Sequence, residues 1–215
     1  MDSGRSPNFG DRRDGLRPEF VIIHYTAMSS CAAAHQRLCD PAYEVSAHWL
    51  IGRQGDVHML VPEDKRAWHA GAGSWRGKGD MNSRSIGIEL DNDGSAPFSE
   101  PLMRALEALL PGIMDRWSIP ASGVIAHSDM APGRKIDPGP RFDWRRLALQ
   151  GLASWVDDAP PGDPAAFDAD ACAFGYAPDI SPELRLDAFR LRFRPWGRGP
   201  ADAVDAGLIR ALLTA

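Results

Sequence analysis

Three residues in this 215-residue chain have the types and the placing that a catalytic metal site requires. His24 follows the apolar run Phe20–Ile23, and His127 follows a second apolar run, Val124–Ala126. Asp137 comes ten residues after His127, in a loop rich in proline and glycine. Two imidazoles and one carboxylate are three ligands for a tetrahedral zinc ion that keeps its fourth position open for water. The spacing alone leaves ordinary structural roles open, because the chain has no short HExxH-type motif.

The other histidines have simpler interpretations. A lone histidine is more often a hydrogen-bonded or surface residue than a metal ligand. His35 and His58 are predicted to be surface or packing residues. His48 is predicted either to pack structurally or to support the metal ligands from behind.

The elements that must position the three candidate ligands are strands alternating with helices. The predicted strands are short apolar runs: Phe20–Ile23, Ser85–Leu90, Val124–Ala126, and a hairpin of Ala47–Ile51 with Val57–Val61. The predicted helices run from Ser29 or Ser30 to Leu38, over 102–117 and over 144–155. Pro111 should kink or end the second of these helices. Since a hairpin interrupts the alternation, we predict an α/β fold with a mixed central sheet flanked by helices.

Composition narrows the class of protein. The chain is 44% hydrophobic and 25% charged, which is typical of a globular protein. Its net charge of -5 argues against a nucleic-acid partner, and no apolar stretch is long enough to indicate a membrane partner. Cys31 and Cys39 would be about 12 Å apart on the predicted helix, too far for a disulfide. With Cys172 they form an odd, scattered set, which favours a reducing compartment.

A long segment, from Glu63 to Arg84, is rich in glycine and carries two tryptophans. Its composition predicts a surface loop, and loops of this length in compact domains are usually functional.

Four segments, taken together and in order, resemble the N-acetylmuramoyl-L-alanine amidase type 2 family. They are Ile22–Thr26, Ala67–Gly71, Ser85–Leu90 and His127–Gly139. The similarity spans roughly residues 17–150 and is most specific in the last segment. It implies a zinc amidase with a fold like that of the peptidoglycan recognition proteins.

The resemblance implies that His24, His127 and Asp137 hold the zinc. It also implies that Glu89 is the carboxylate near the attacking water and that Lys135 is the cation near the scissile carbonyl. Each role is chemically reasonable, because a carboxylate can carry the water's proton and an ammonium can stabilise a developing oxyanion. From the residues alone, Glu89 could equally be a surface acid at a strand end, and Lys135 a solvated loop lysine.

Substrate-binding residues are predicted mainly on the glycine-rich segment. Trp68, His69 and Trp75 would either pack against a sugar or peptide stem or anchor the loop. Asn82, Arg84 and Arg134 would pair with carboxylates of the stem peptide, because guanidinium groups match carboxylates well.

The domain organisation is predicted from changes in composition. We expect a flexible N-terminal segment over 1–16, the catalytic domain over 17–156 and a linker over 157–165. Residues 166–215 contain three short helical patterns, over 167–174, 182–193 and 201–213, and loosely resemble a truncated helical peptidoglycan-binding domain. The alternative for this tail is a helical cap that covers apolar surface of the catalytic domain.

The function implied by the resemblance is hydrolysis of the amide between N-acetylmuramic acid and L-alanine in peptidoglycan fragments. The 1,6-anhydro form is included, for cell-wall recycling in the cytoplasm. Because residues 1–16 contain no apolar signal-like run, we expect that the chain either stays where it is made or begins after a removed signal. No obligatory protein partner is inferred. The alternatives are a non-catalytic peptidoglycan-recognition module, a lytic amidase acting on intact wall, and a zinc hydrolase of another amide.

Overall fold

The computed structural model describes residues 4–214 and is built around a five-stranded sheet. The seven strands are β1 (Phe9–Asp11), β2 (Phe20–Tyr25), β3 (Trp49–Ile51), β4 (Val57–Met59), β5 (Lys65–Ala67), β6 (Ser85–Leu90) and β7 (Val124–Ala126). The order in the large sheet is β4-β3-β6-β2-β7, and only β3 and β4 are antiparallel. The predicted mixed α/β sheet is therefore confirmed.

The described part of the chain also contains eight α-helices. They are α1 (Cys31–Cys39), α2 (Met81–Arg84), α3 (Glu100–Trp117), α4 (His127–Met130), α5 (Trp144–Ala148), α6 (Phe167–Phe174), α7 (Pro182–Phe193) and α8 (Ala203–Leu212). Helix α1 begins where the sequence predicts, because the Ser30 side chain accepts a hydrogen bond from the backbone N–H of Ala33.

Strand β2, which lies between β6 and β7, is buried on both faces. Val21 and Ile23 pack into one apolar cluster, which also contains the buried side of α3 and residues of α5. Phe20 and Ile22 alternate onto the other face and pack into a second cluster. His24 is the next residue after Phe20 and Ile22 at alternate positions of β2, so the strand directs it to the same face as Ile22.

The C-terminal helices belong to that second cluster. Phe167, Phe174, Phe189 and Ile209 of α6, α7 and α8 share it with Ile22 of the sheet. A helical region that completes the core of the sheet behaves as part of the same folding unit. The packing favours the helical cap over an independent small domain.

A buried ion pair reinforces this contact. Arg192 of α7 donates to Asp129 of α4 at 2.6 Å, and the Tyr176 hydroxyl donates to the other carboxylate oxygen at 2.9 Å. Asp129 also accepts from the backbone N–H of Ala126, at the end of β7. The C-terminal helices are thus tied to the segment that begins with His127.

The N-terminal prediction is wrong for residues 9–11. They form β1, which pairs antiparallel with β5 in a separate two-stranded sheet. The neighbouring Asn8 is buried, and its side chain donates to the carbonyls of Asp40 and Val45. Residues 1–3 of the predicted flexible segment lie outside the described residues.

Three further boundaries differ from the prediction. The segment 63–84 is not wholly loop, because it contains β5 and α2. Helix α3 continues through Pro111, so of the two predicted outcomes, a kink or an end, the helix end does not occur there. Leu110 and Ile113 are buried on either side of Pro111 and hold the helix against the sheet. The helix predicted over 144–155 ends at Ala148, and Gly151 adopts a left-handed φ of 72° that an α-helix cannot accommodate.

Within residues 4–214, no helix combines the length and the apolar composition needed to cross a bilayer.

Candidate active site

The site lies at the carboxyl ends of three adjacent parallel strands. His24 of β2 is in register with Glu89 of β6, and Ile23 is in register with Ala126 of β7. His127 follows Ala126 directly, so it begins α4 beside His24. Open α/β sheets bind ligands at this edge, because the side chains at the ends of neighbouring strands converge there.

The three predicted metal ligands meet at one point. His24 Nδ1, His127 Nδ1 and Asp137 Oδ2 form a triangle with all three sides 2.9 Å long. All three residues are buried. Ligand atoms around a tetrahedral zinc ion are about 3.3 Å apart, so shifts of a few tenths of an ångström would let these atoms coordinate one.

Hydrogen bonds behind the ligands fix which ring nitrogen is available. His127 Nε2 lies 2.9 Å from the carbonyl oxygen of Ala70, which can only accept. Nε2 therefore carries the proton, and Nδ1 presents its lone pair to the site. A carbonyl behind a metal-binding imidazole is a common arrangement, and it orients the ring.

His69 provides the hydrogen bond that fixes the tautomer of His24. His24 Nε2 lies 3.0 Å from His69 Nδ1, and His69 Nε2 lies 3.3 Å from Ser85 Oγ. The Ser85 hydroxyl donates to the Met81 carbonyl, so it accepts from His69. His69 Nδ1 is then the acceptor for the Nε2 proton of His24, and His24 Nδ1 is left free for the metal.

The His69 ring occupies space that glycine provides. A Cβ atom at Gly87 would lie 2.5 Å from the ring, although Gly87 has no unusual backbone conformation.

Burial and the neighbouring His127 lower the pKa of His24 to about 4, and burial lowers the pKa of His69 well below its usual value. Both rings are therefore neutral near pH 7, as metal ligation and this hydrogen-bond chain require.

Glu89 is a half-buried residue in register with His24, and its Oε2 atom is buried. Its Oε2 atom has no hydrogen-bond partner within residues 4–214, an expensive arrangement that active sites tolerate. Burial raises the pKa of Glu89 to about 8; the charge of Asp137 adds to the increase, and Lys135 opposes it. Lys135 lines the same cleft. These are the surroundings of a group that takes up and releases a proton near neutral pH.

The cluster opens into a cleft of about 670 Å³. Of the predicted substrate-binding residues, the structure brings Trp68, His69 and Arg134 to its wall. Arg134 also donates to the carbonyls of Ala70 and Ala72, so it holds the glycine-rich segment in place.

Three predicted substrate-binding residues are not on the cleft wall. Trp75 is fully buried, and its ring packs edge-on against those of Phe174 and Tyr176, so the loop-anchoring alternative is the correct one. Arg84 pairs with Glu19 and does not line the cleft.

Asn82 is buried, and its side-chain oxygen accepts from the backbone N–H groups of His69 and Ala70. It therefore shapes the loop behind the metal site. His48 likewise has a structural role: its Nδ1 accepts from the Gly87 N–H at 2.9 Å, and its Nε2 faces Lys65 O at 3.0 Å.

Sequence reasoning missed one charged residue of the cleft, Arg37 on α1. Its guanidinium lies 4.0 Å from the centroid of the Tyr43 ring. Only the position of α1 beside the cleft distinguishes it from a surface arginine, and no sequence motif gives that position.

Comparison with known proteins agrees with this geometry. The family model for N-acetylmuramoyl-L-alanine amidase matches residues 14–140, more than half of the chain, and this range contains His24, Glu89, His127, Lys135 and Asp137. The chain belongs to this family. As an N-acetylmuramoyl-L-alanine amidase, it is an enzyme, and its predicted family membership is confirmed.

Its relatives differ in how much of the chain they match. The amidase AmiD of Escherichia coli is 36% identical over 92% of this chain and 83% of its own length. The 1,6-anhydro-N-acetylmuramyl-L-alanine amidase AmpD of E. coli is 34% identical over 67% of this chain and 88% of its own length.

A solved structure of E. coli AmiD in complex with anhydro-N-acetylmuramic acid-L-Ala-D-gamma-Glu-L-Lys superimposes with a TM-score of 0.82 at 34% identity. The match covers 94% of this chain and 91% of that one.

Proposed function

We propose that this amidase is a zinc enzyme that hydrolyses the amide between N-acetylmuramic acid and L-alanine in peptidoglycan fragments, the 1,6-anhydro form included. One observation carries the proposal: two imidazole nitrogens and a carboxylate oxygen lie 2.9 Å from one another, and the Oε2 atom of nearby Glu89 has no hydrogen-bond partner in the described part of the chain. The names of AmiD and AmpD, and the muropeptide held by AmiD, support the substrate class.

His24, His127 and Asp137 would hold the ion. When bound there, zinc polarises the amide carbonyl and lowers the pKa of a water molecule to about 7. Glu89 takes one proton from the attacking water and gives it to the departing alanine nitrogen as the carbon–nitrogen bond breaks. The Lys135 ammonium stabilises the negative charge that develops on the carbonyl oxygen.

The cleft supplies groups for both halves of such a substrate. Trp68 offers an aromatic surface for the sugar or the peptide stem, while Arg134 and Arg37 offer positive charge for peptide carboxylates. The Arg134 guanidinium is held in place at the cleft wall, because it already donates to the backbone carbonyls of Ala70 and Ala72.

The test is digestion of purified anhydro-muramyl peptides and of intact wall sacculi, side by side, with mass spectrometry of the products. We expect free peptide and anhydro-N-acetylmuramic acid from the fragments, loss of activity with a chelator and recovery on adding zinc. Unchanged activity after the bound metal has been removed would overturn the zinc assignment. Preference for sacculi would indicate a lytic amidase, and binding without cleavage would indicate a recognition module.

We further propose that the enzyme acts on recycled fragments in the cytoplasm. Cys31, Cys39 and Cys172 are all unpaired in the structure, which is compatible with a reducing compartment. Cells that lack the protein should accumulate unprocessed anhydro-muropeptides in cytosolic extract. Normal muropeptide pools, or recovery of the protein from the envelope, would contradict this compartment while leaving the chemistry intact.

A further inference from the structure

A second cluster of metal-binding side chains lies between helix α1 and the β3–β4 hairpin. Cys31 opens α1, Asp56 lies in the hairpin turn, and His58 is in β4. Cys31 Sγ is 3.7 Å from Asp56 Oδ2, and His58 Nε2 is 2.8 Å from the same oxygen. One ligand atom from each of the three residues lies within 4.8 Å of the others.

These distances suit a tetrahedral ion. With zinc–oxygen and zinc–nitrogen distances near 2.0 Å and a zinc–sulfur distance near 2.3 Å, ligand atoms are about 3.3–3.6 Å apart. The observed separations of 2.8 and 3.7 Å lie on either side of that range. A thiolate with an imidazole favours zinc over magnesium or calcium, which prefer oxygen ligands. We propose that Cys31, Asp56 and His58 form a second zinc site, distinct from the catalytic one.

The chain makes room for the carboxylate in this cluster. A Cβ atom at Gly52 would lie 2.5 Å from both side-chain oxygens of Asp56. The backbone of Gly52 is not in the left-handed region, so its conformation does not require glycine. The absence of a side chain at position 52 instead lets the Asp56 carboxylate fold back over the turn, towards α1.

A fourth donor lies close by. His35 is one turn after Cys31 on α1, and side chains four residues apart share a helix face. Its ring lies edge-on to that of His58, with 5.9 Å between the centroids. A rotation of the His35 side chain, or a water molecule, would complete the coordination.

An ion here would connect the substrate cleft to a distant turn. Ala34, Arg37 and Leu38 of α1 line the cleft, while Asp56 and His58 belong to the hairpin. Coordination by both elements would clamp one wall of the cleft to the edge of the sheet. The site would therefore be structural, and its occupancy would affect how firmly Arg37 is held.

The test uses the full-length protein and cobalt as the probe, because a cobalt ion bound by a thiolate shows near-ultraviolet charge-transfer absorption. The proposed catalytic ligands include no thiolate, so this absorption reports on the second site alone. We expect two equivalents of metal per chain, with the absorption present. Cys31→Ser and His58→Ala should each lose the absorption and one equivalent.

Two controls separate this site from other metal binding. Cys39→Ser removes a thiol two turns further along α1 and should leave the absorption unchanged. His24→Ala should lose the catalytic equivalent and keep the absorption, so failure of this proposal is distinguishable from failure of the proposed function. A single equivalent without charge-transfer absorption in the unaltered protein, or absorption that persists in Cys31→Ser, would overturn the second site.

Discussion

The orientation of His24 depends on His69 and Ser85, which are not among the candidate metal ligands. Its Nε2 proton goes to His69, which is in turn held by the Ser85 hydroxyl. Groups behind a metal ligand typically change metal affinity by about 10–100-fold when removed. We therefore infer a positioning role for His69, for which the sequence had suggested a substrate contact or a loop anchor.

We predict that His69→Ala weakens zinc affinity by about 10–100-fold, because His24 loses the acceptor that fixes its tautomer. Ser85→Ala, which removes only the far end of the chain, should have a smaller effect in the same direction. Competition with a metal-binding dye measures both. Unaltered zinc affinity in His69→Ala, together with a higher KM for the muropeptide, would return His69 to the substrate-binding role.

Glu89 allows a test of the proton transfer itself. Glu89→Gln keeps the size of the side chain but cannot accept the water's proton, so turnover should fall by about 10²–10⁴-fold. Zinc content should stay at the unaltered level, because Glu89 is not among the proposed ligands. Glu183→Gln, at an exposed position at the start of α7, is the matched control. Near-native turnover in Glu89→Gln would move the general base to another residue.

Arg37 tests recognition of the peptide stem. Removing a charged hydrogen-bond donor costs about 1.5–3 kcal/mol, which corresponds to roughly a tenfold to hundredfold increase in KM. We predict this increase for Arg37→Ala on tripeptide-bearing fragments, with kcat little changed, and a partial effect for Arg37→Lys, which keeps the charge but loses the planar fork. Steady-state kinetics measures both variants. An equal loss in kcat would indicate that Arg37 acts in the chemical step.

Single residues differ in how far the sequence predicts them. The ends of β2 and β7 could be recognised from apolar runs, and His24 and His127 could therefore be predicted to lie together at the edge of the sheet. The sequence left two roles open for Trp75 and predicted a substrate contact for Arg84, because a loop sequence does not say which side chains pack into the core and which form ion pairs elsewhere. Trp75 is buried by helix α6 and the residues after it, nearly a hundred positions later in the chain.

Among the elements, α4 links the catalytic edge to the C-terminal helices. It begins with His127 and contains Asp129, whose carboxylate is fully buried and bound by Arg192 and Tyr176. Removing one partner of a buried ion pair leaves an uncompensated charge in a low-dielectric interior. The position of His127 therefore depends on residues of the tail.

We predict that Arg192→Met lowers the free energy of unfolding by about 3–5 kcal/mol, because the buried Asp129 charge loses its partner. Tyr176→Phe should cost about 1–3 kcal/mol, since Asp129 keeps its arginine. Urea denaturation measures both, and zinc affinity measured in the folded variants shows whether the disturbance reaches His127. The double variant Arg192→Met with Asp129→Asn should regain part of the loss; no recovery would show that Arg192 acts through packing alone.

Elements with a strong local signal were predicted well. Strand β6 has the predicted bounds, and α6 and α7 begin at the predicted residues. The elements that the sequence did not predict are short or depend on pairing with distant parts of the chain. Strands β1 and β5 have three residues each and exist only because they pair with one another, across more than fifty positions. Local periodicity carries no signal for such a pairing.

At the scale of the whole molecule, two apolar layers enclose the sheet, and the chain supplies them from different regions. Helix α3 lies between strands in the sequence, so its packing follows from the alternation of elements. The opposite layer comes mainly from α6, α7 and α8, after the last strand. The sequence left two roles open for these helices, and only the shared core distinguishes them.

The last prediction concerns the chain cut after Asp158. Truncation would expose Phe20, Ile22 and Trp75, which pack against the C-terminal helices, and would leave Asp129 without Arg192 and Tyr176. Burial of apolar surface contributes about 25 cal/mol per Å², so losing a whole apolar layer exceeds the margin of a typical domain. We expect insoluble protein, or a large drop in melting temperature with activity on fragments and on polymeric wall falling together. A soluble truncated protein that cleaves fragments normally but loses activity on polymeric wall would instead establish the tail as a separate wall-binding domain.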